Sequence, residues 1–464
     1  MEQYDAIIIG IGQAGNPLAN TLAKNGYKTA VIERSHPGGS CINYGCTPTK
    51  IMVASAAVSH LAKNAYEVGI RVNGVETDFQ QLIKRRDGIV EQWRDGIQNR
   101  MEEAENIELI MGEASFTGNN QLKIILNNSK NFREITADKI FINVGTSPRI
   151  PNNIDGLQEI TYYTSKTMMD LYELPEHLVI LGGSYIGLEF GQMYSRLGSK
   201  VSILQQEDQL APREDEDIAN AILEFLEDEN ITVILEANTK KVKKLPGGFE
   251  ISYEHKGQTK NLKGTHLLLA IGTTPNTSNL NLEKTGVNQG KHGYIEVNQY
   301  LETNRKGIFA LGDCKGGPEF THISYDDYRI VNDYLFGDKK RNTKDRMVPY
   351  TLFTKPELGR IGLSEKEAKK QNINYKIATM PMNHVARAIE ANKTTGFLKV
   401  LVEPNSGKIL GAACLADDGG DLMAMLQIAM MGNLNYTQLR DGIFSHPTYA
   451  EAFNNLFTSL KDPE

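Results

Sequence analysis

Two stretches of this chain carry the same punctuation at the same internal spacing. Tyr4–Glu33 reads as an apolar strand, a glycine turn, a helix and a second strand, with Gly10, Gly12 and Gly15 forming GxGxxG at the end of the first strand. Gly10 permits the tight turn, Gly12 lets the backbone approach a pyrophosphate, and Gly15 lets the helix pack closely on the sheet. Glu33 ends the second strand, 23 positions after Gly10, where an acid suits a ribose hydroxyl. The pattern returns over Leu178–Gln206. Gly182 and Gly187 take the first and third positions, Ser184 replaces the second glycine, and Gln205 stands 23 positions after Gly182. A lone GxGxxG can be no more than a tight turn; the strand–helix–strand frame and its recurrence point to two dinucleotides, one per domain. A flavin dinucleotide and a nicotinamide dinucleotide are one such pair.

The 464 residues amount to about three domains of ~150 residues. Ile142–Pro151 and Leu269–Thr277 resemble each other: both are strands running into Gly-x-x-Pro, at Gly145 and Gly272, as expected where the chain crosses between domains. A third part begins near Arg346 and alternates β-rich stretches with a methionine-rich helix from Asp421 to about Gly432, whose methionines are expected as core filler. The run Phe79, Leu82, Ile83, Ile89, Val90, Trp93, Ile97, Met101 predicts a packed helix face, and Lys84-Arg85-Arg86 a solvated one. A net charge of −7 excludes a general nucleic-acid or anionic-membrane binder. No apolar run approaches the ~20 residues that span a bilayer. Met1 and Glu2 lead directly into a strand, so the expectation is a cytoplasmic protein in which any disulfide is functional.

Of four cysteines, Cys41 and Cys46 lie five positions apart in PGGSCINYGCTPTK, after Gly39 and Ser40. That spacing can close a small disulfide loop, and Pro48 marks a helix start whose N-terminus stabilises a thiolate. Structural zinc is the competing reading, but paired ligands to complete a site of four are missing. Cys314 and Cys414 have no close partner in sequence and are expected as buried small residues. The pair is expected to be redox-active.

With these motifs in order along nearly the whole chain, together with TNRKGIFALGD and the near-terminal HPTYAE, the sequence resembles the FAD-dependent pyridine-nucleotide disulfide oxidoreductases. These include glutathione reductase, dihydrolipoamide dehydrogenase and mercuric reductase. The resemblance implies an α/β fold with two Rossmann-like dinucleotide-binding domains plus a C-terminal α+β interface domain. Residues 1–149 and 272–345 would form the FAD domain, 150–271 the NAD(P) domain, and 346–464 the interface or dimerisation domain. It further implies Cys46 as the charge-transfer thiolate and Cys41 as the interchange thiol. Lys50 would lie near flavin N5 with Glu189 as its ion-pair partner. Tyr185, followed by Ile186, falls where glutathione reductase has a tyrosine that covers the flavin until the nicotinamide enters. Asp313 matches the acid that binds the ribityl chain, and Gly112 and Ala114 match a backbone contact to the adenosine part of FAD.

His446 and Glu451 reproduce the family's acid–base dyad. A thiol leaving group needs a proton donor of near-neutral pKa, and a carboxylate orients and strengthens the imidazole. In the family this histidine comes from the partner subunit, which implies a homodimer. His322 is a further candidate for lining the flavin region. Electrons from NADH or NADPH would pass by way of FAD and the two cysteines to a small-molecule oxidised acceptor. Gln205 and Gln206 stand where NAD enzymes carry an acid and NADP enzymes arginines, and Glu207 tilts the expectation to NADH. No cysteine follows Cys414, which argues against mercury. Cys46-Thr47-Pro48-Thr49-Lys50 departs from the usual dihydrolipoamide dehydrogenase pattern. FTHISYDDYRIVNDYL and LGRIGLSEKEAK look most like the mercuric-reductase-like branch near the hypothiocyanous acid reductases. The expected acceptor is hypothiocyanous acid or a related oxidant, with lipoamide or another low-molecular-weight disulfide as alternatives. A flavin-bound redox sensor without turnover would leave the cysteine pair, Lys50, Glu189 and the dyad unexplained.

Overall fold

The computed structural model describes residues 1–127, 129 and 131–463. It divides into two compact units. One comprises Met1–Thr49, Gln81–Arg149 and Gly272–Arg346; the other comprises Lys50–Gln80, Ile150–Ile271 and Met347–Glu464.

The first unit is built on a six-stranded sheet. Glu2–Ile9 lies between Thr29–Glu33 and Phe132–Ile142, parallel to both. Ile107–Gly118 extends the parallel order on one side and Ile308–Ala310 on the other, while Gln121–Leu126 pairs antiparallel with Ile107–Gly118 and Phe132–Ile142. Ile7 and Ile9 belong to one core cluster, Ala6 and Ile8 to another that includes Leu18 and Leu22 of α1 (Gly15–Lys24). A strand buried on both faces must be apolar at every position, which is why Ala6–Ile9 is unbroken rather than alternating. The chain continues through α2 (Gly39–Asn43), α3 (Cys46–Lys63) and α4 (Phe79–Glu102).

Helix α4 corrects two expectations. Leu82, Ile83, Val90, Ile97 and Met101 are buried, but Trp93 is 50% exposed and Ile89 only half-buried, so the apolar run is not one packed face. Lys84 and Arg85 face solvent as expected, whereas Arg86 is buried and donates two hydrogen bonds to Asp87. Its guanidinium is retained inside because a carboxylate next in sequence neutralises it.

In the second unit a five-stranded parallel sheet runs Thr232–Ile234, Lys200–Leu204, His177–Leu181, His266–Leu269, Tyr163–Thr164, and α5 (Tyr185–Leu197) follows its central strand. Asn238–Leu245, Gly248–His255 and Gln258–Gly264 form a separate antiparallel sheet. The last part is a five-stranded antiparallel sheet ordered Tyr350–Leu352, Glu357–Gly362, Ile409–Ala416, Phe397–Val402, Lys376–Pro381. Leu422, Met423, Leu426, Phe453 and Phe457, from the helices Gly419–Met431 and Ala452–Thr458, share its core. Only part of the methionine stripe is core filler. Met423 is buried, but Met425, Ile428 and Met431, spaced three apart, are exposed together, because a helix lying on a sheet buries only one side.

Lys399 sits inside Phe397–Val402 at 1% exposure, with Glu365 at 2.6 Å, Asp217 at 2.9 Å and Asp215 at 3.0 Å from its ammonium. Burial works against the charge of Asp215, but the N–H groups of Lys366 and Glu365, together with Lys399, hold its carboxyl below the usual aspartate range. Lys399→Met would leave three carboxylates facing one another and is expected to cost about 3 kcal/mol in urea unfolding. A depressed folded-state pKa contributes stability above the unfolded aspartate value, about 4, and loses it as pH falls through the folded value. The gap in urea midpoint between the two proteins should therefore narrow on acidification below about pH 4.

Candidate active site

The two glycine turns superpose in their constraints. A Cβ at Gly10 would lie 2.3 Å from the carbonyl oxygen of Asn143, and one at Gly182 would lie 2.4 Å from that of Ala270; both residues have positive φ. A Cβ at Gly15 or Gly187 would strike the carbonyl oxygen of Gly10 or Gly182, at 2.3 and 2.0 Å. The second position differs for a local reason. Gly39 crosses over Gly12 at positive φ, so that a Cβ on Gly39 would lie 2.7 Å from the Gly12 Cα, while a Cβ on Gly12 would meet the Asn143 amide at 3.3 Å. Ser184 is exposed with an ordinary φ of −105°.

The residues 23 positions on also act alike. Glu33 accepts from the Ile11 N–H at 3.1 Å and the Ser35 N–H at 2.8 Å, and Gln205 Oε1 accepts from the Gly183 N–H at 2.8 Å. Burial raises the pKa of Glu33, partly offset by those N–H groups. Gln205 Nε2 donates to the Gln209 carbonyl, so its amide is engaged at both ends; Gln206 and Glu207 are exposed. Neither α1 nor α5 has a side-chain cap, and the N–H groups of an uncapped first turn suit a phosphate. These turns, glycine at every crowded motif position, fit the pyrophosphates of two dinucleotides.

Asn43 fastens the cysteine segment. Its amide donates to the Pro37 and Gly39 carbonyls at 2.9 Å, and Arg94 donates to its oxygen at 2.8 Å. This fixes α2, which carries Ser40 and the half-buried Cys41. Cys46 is the first residue of α3, exposed, with Sγ 3.2 Å from the hydroxyl of Thr321. Lys50 follows one turn along the same helix. Its ammonium pairs with Glu189 Oε2 at 2.7 Å and stands 4.7 Å from the Phe353 ring centroid; Glu189 Oε1 accepts the Phe353 N–H at 2.9 Å.

Tyr185 opens α5 beside exposed Ile186, and its hydroxyl donates to Glu214 Oε1 at 2.6 Å. Tyr350 donates to the same oxygen at 2.8 Å. His446 is exposed, its Nδ1 2.9 and 3.0 Å from the two Glu451 oxygens, which leaves Nε2 for other work.

Asp313 lies in the turn after Ile308–Ala310, accepts from Ser324 at 3.4 Å, and is pushed up to about 6 by burial and, secondarily, by Glu319. Asp327, at 0% exposure, anchors this turn through the Gly312 N–H at 2.8 Å, Arg346 at 2.6 Å and Lys315 at 3.2 Å. Ala114 is buried in Ile107–Gly118 next to the Gly112 backbone. Gly145 and Gly272 have positive φ and open space where a Cβ would be. His322 stacks on Phe320 at 5.4 Å.

Within single units, then, the structure brings together Lys50 with Glu189, His446 with Glu451, and Cys46 with Thr321. The sequence reading missed Thr321, Glu214, Tyr350, Phe353 and Asp327. Glu214 lies in the charged run Arg213–Asp217, Asp327 lies in the stretch FTHISYDDYRIVNDYL that carries family resemblance without assigning it a role, and no local pattern marks the others.

The family model described as pyridine nucleotide-disulphide oxidoreductase matches residues 4–327, and the model of that family's dimerisation domain matches residues 348–457. The chain is 38% identical to the probable pyridine nucleotide-disulfide oxidoreductase RclA of Escherichia coli, over 99% of this chain and 100% of that one. It is 34% identical to a Staphylococcus aureus mercuric reductase, over 97% of this chain and 81% of that protein. Among solved structures, the Cu(II) complex of the HOCl-induced flavoprotein disulfide reductase RclA from Escherichia coli matches with a TM-score of 0.90 at 38% identity, covering 99% of each chain. Among the described residues no helix is long and apolar enough to cross a membrane.

Cys314 and Cys414 are fully buried, and that burial pushes both thiols up to about 12. Iodoacetamide at pH 7 should therefore label Cys41 and Cys46 of the reduced protein and leave Cys314 and Cys414 untouched until denaturant is added. Peptide mass spectrometry reads the order, and early labelling of Cys314 would contradict it.

Proposed function

Because the chain belongs to the pyridine nucleotide-disulphide oxidoreductase family, whose members contain FAD and draw electrons from NAD(P)H, we propose that Cys41 and Cys46 pass those electrons to a small reactive oxidant such as hypothiocyanous acid. The observation that carries the role of the pair is Cys46 at the N-terminus of α3, its sulfur beside the Thr321 hydroxyl and Cys41 held by Asn43. The Escherichia coli relative is described as an HOCl-induced flavoprotein disulfide reductase, and induction by a reactive oxidant supports an oxidant as the class of acceptor.

In this reading residues 1–149 and 272–345 hold FAD at Gly10, Gly12, Gly15, Glu33, Gly39, Ser40, Gly112, Ala114, Gly145 and Asp313. Residues 150–271 hold the nicotinamide dinucleotide at Gly182–Gly187, Gln205 and Gln206, with Gly272 at the crossing. Residues 346–464 join two copies, and His446 with Glu451 serves the site of the other copy. Exposed Glu207 would repel a 2′-phosphate, favouring NADH. FAD, when bound, supplies a two-electron relay between nicotinamide and cysteines.

The chain's own part begins with the Cys41–Cys46 bond, which takes two electrons and opens to two sulfur groups. The helix N-terminus and the Thr321 hydroxyl stabilise Cys46 as thiolate. Cys41 thiolate attacks the electrophilic sulfur of HOSCN and forms a Cys41–SCN bond, while hydroxide leaves as water with the proton held by His446. Cys46 then attacks the Cys41 sulfur, expels thiocyanate and restores the disulfide. The sum is NADH + HOSCN → NAD⁺ + SCN⁻ + H₂O. Lys50 stays paired with Glu189, and Glu451 keeps the His446 ring oriented.

Anaerobic titration with NADH should produce a long-wavelength charge-transfer band in the wild type and none in Cys46→Ser. In steady state, hypothiocyanite should outrun lipoamide, glutathione disulfide, coenzyme A disulfide and Hg(II), and NADH should outrun NADPH. Faster turnover of lipoamide or Hg(II) would overturn the acceptor while leaving the cysteine mechanism in place. His446→Ala should slow disulfide acceptors about 100-fold and hypothiocyanite less, because general acid catalysis matters most where the leaving group is basic.

A further inference from the structure

Glu214 is a carboxylate at 0% exposure with no catalytic reason in the scheme above. One oxygen, Oε1, receives two phenols, Tyr185 at 2.6 Å and Tyr350 at 2.8 Å. The other, Oε2, lies 3.0 Å from Arg360 Nε, an ion pair off the line of a hydrogen bond. Arg360 is itself buried in Glu357–Gly362 and donates through Nη1 to the Ala412 carbonyl at 2.9 Å. The two tyrosine rings stand 5.6 Å apart at 36°. A buried charge is costly to maintain unless it is paired and hydrogen-bonded, and such groups are often kept because they fix one arrangement. What this one fixes is the hydroxyl of Tyr185, the residue that directly follows Ser184 in the second glycine turn. In the reading of Gly182–Gly187 as the nicotinamide dinucleotide turn, the Tyr185 ring, at the first position of α5, lies beside the path of the incoming nucleotide.

We propose that Glu214, clamped by Arg360 and shared between two phenols, is a latch that holds the Tyr185 ring in its resting place. The incoming nicotinamide must break the Tyr185–Glu214 bond. Glu214, Tyr350 and Arg360 are then positioning residues that set how readily the reduced nucleotide enters. This rests on the reading of Gly182–Gly187 as the nicotinamide dinucleotide site.

The shared oxygen gives opposite signs to two substitutions. Glu214→Gln keeps the shape and removes the charge, so the bond from Tyr185 weakens and KM for NADH falls about tenfold, the difference between a charged and a neutral hydrogen bond. Tyr350→Phe keeps the buried ion pair and removes the competing donor, so the remaining bond tightens and KM rises about twofold. The test uses the FAD-loaded protein, with steady-state KM and kcat for NADH and equilibrium titration with the non-reducing analogue tetrahydro-NADH. In a Tyr185→Phe background, Glu214→Gln should have no further effect on either quantity. Equal effects with and without the Tyr185 hydroxyl would overturn the latch, as would the same sign for both variants, or an unchanged KM in a folded Glu214→Gln protein. If Glu214→Gln fails to retain FAD, Tyr350→Phe alone decides by its sign in the presence and absence of the Tyr185 hydroxyl. A wild-type protein whose flavin NADH does not reduce would refute the nucleotide-site reading instead.

Discussion

Glu189 makes two bonds that the geometry of the second unit depends on. A glutamate on the buried side of a helix must find cations or N–H groups, and this one finds the ammonium of Lys50 and the backbone of Phe353. One side chain thereby ties the helix that begins at Cys46 to the second nucleotide fold and to the edge of the C-terminal sheet. Three segments far apart in sequence meet on a single carboxylate because leaving any of its oxygens unmet inside the protein would be expensive. Phe353 adds its ring face to Lys50, so the same residue contributes twice.

Glu214 repeats the device a short distance along the chain, with phenols and a guanidinium in place of ammonium and amide. Lys399 inverts it, one cation among carboxylates. The C-terminal sheet contributes to all three centres, through Phe353, Tyr350 with Arg360, and Lys399. Its attachment within this unit is thus largely polar, and polar attachment specifies direction and register where an oily contact would slide.

What could be read from sequence followed the reach of the interaction concerned. The glycine turns were legible because their cause is local: a carbonyl 2 to 3 Å from where a Cβ would be forbids any other residue, and Gly10, Gly15, Gly182 and Gly187 show it. The strands Glu2–Ile9 and His177–Leu181 were legible from unbroken apolar runs. Lys50, Glu189, His446 and Glu451 were found through family resemblance, and both pairs do meet. Partners recruited across the fold were not legible. Glu214 lies in Arg213–Asp217, a run that looks like surface, yet it is wholly buried. Trp93 and the outer methionines of Gly419–Met431 look like core and are not, since helical periodicity gives the faces of a helix without saying how wide its support is.

The crossing of Gly39 over Gly12 bears on how such a chain can diverge. A Cβ on Gly39 would run into the Gly12 Cα at 2.7 Å, whereas a Cβ on Gly12 would stand 4.0 Å from the Gly39 Cα and meet the Asn143 amide first, at 3.3 Å; the constraint acts on Gly39 and not on Gly12. At the position equivalent to Gly12 the second nucleotide turn carries Ser184, exposed and at an ordinary φ of −105°. Of the three motif positions the second is thus the least crowded, and it is there that the two turns differ. In the first turn an added side chain would meet the end of the Asn143 amide, and in the second a hydroxyl already stands in solvent.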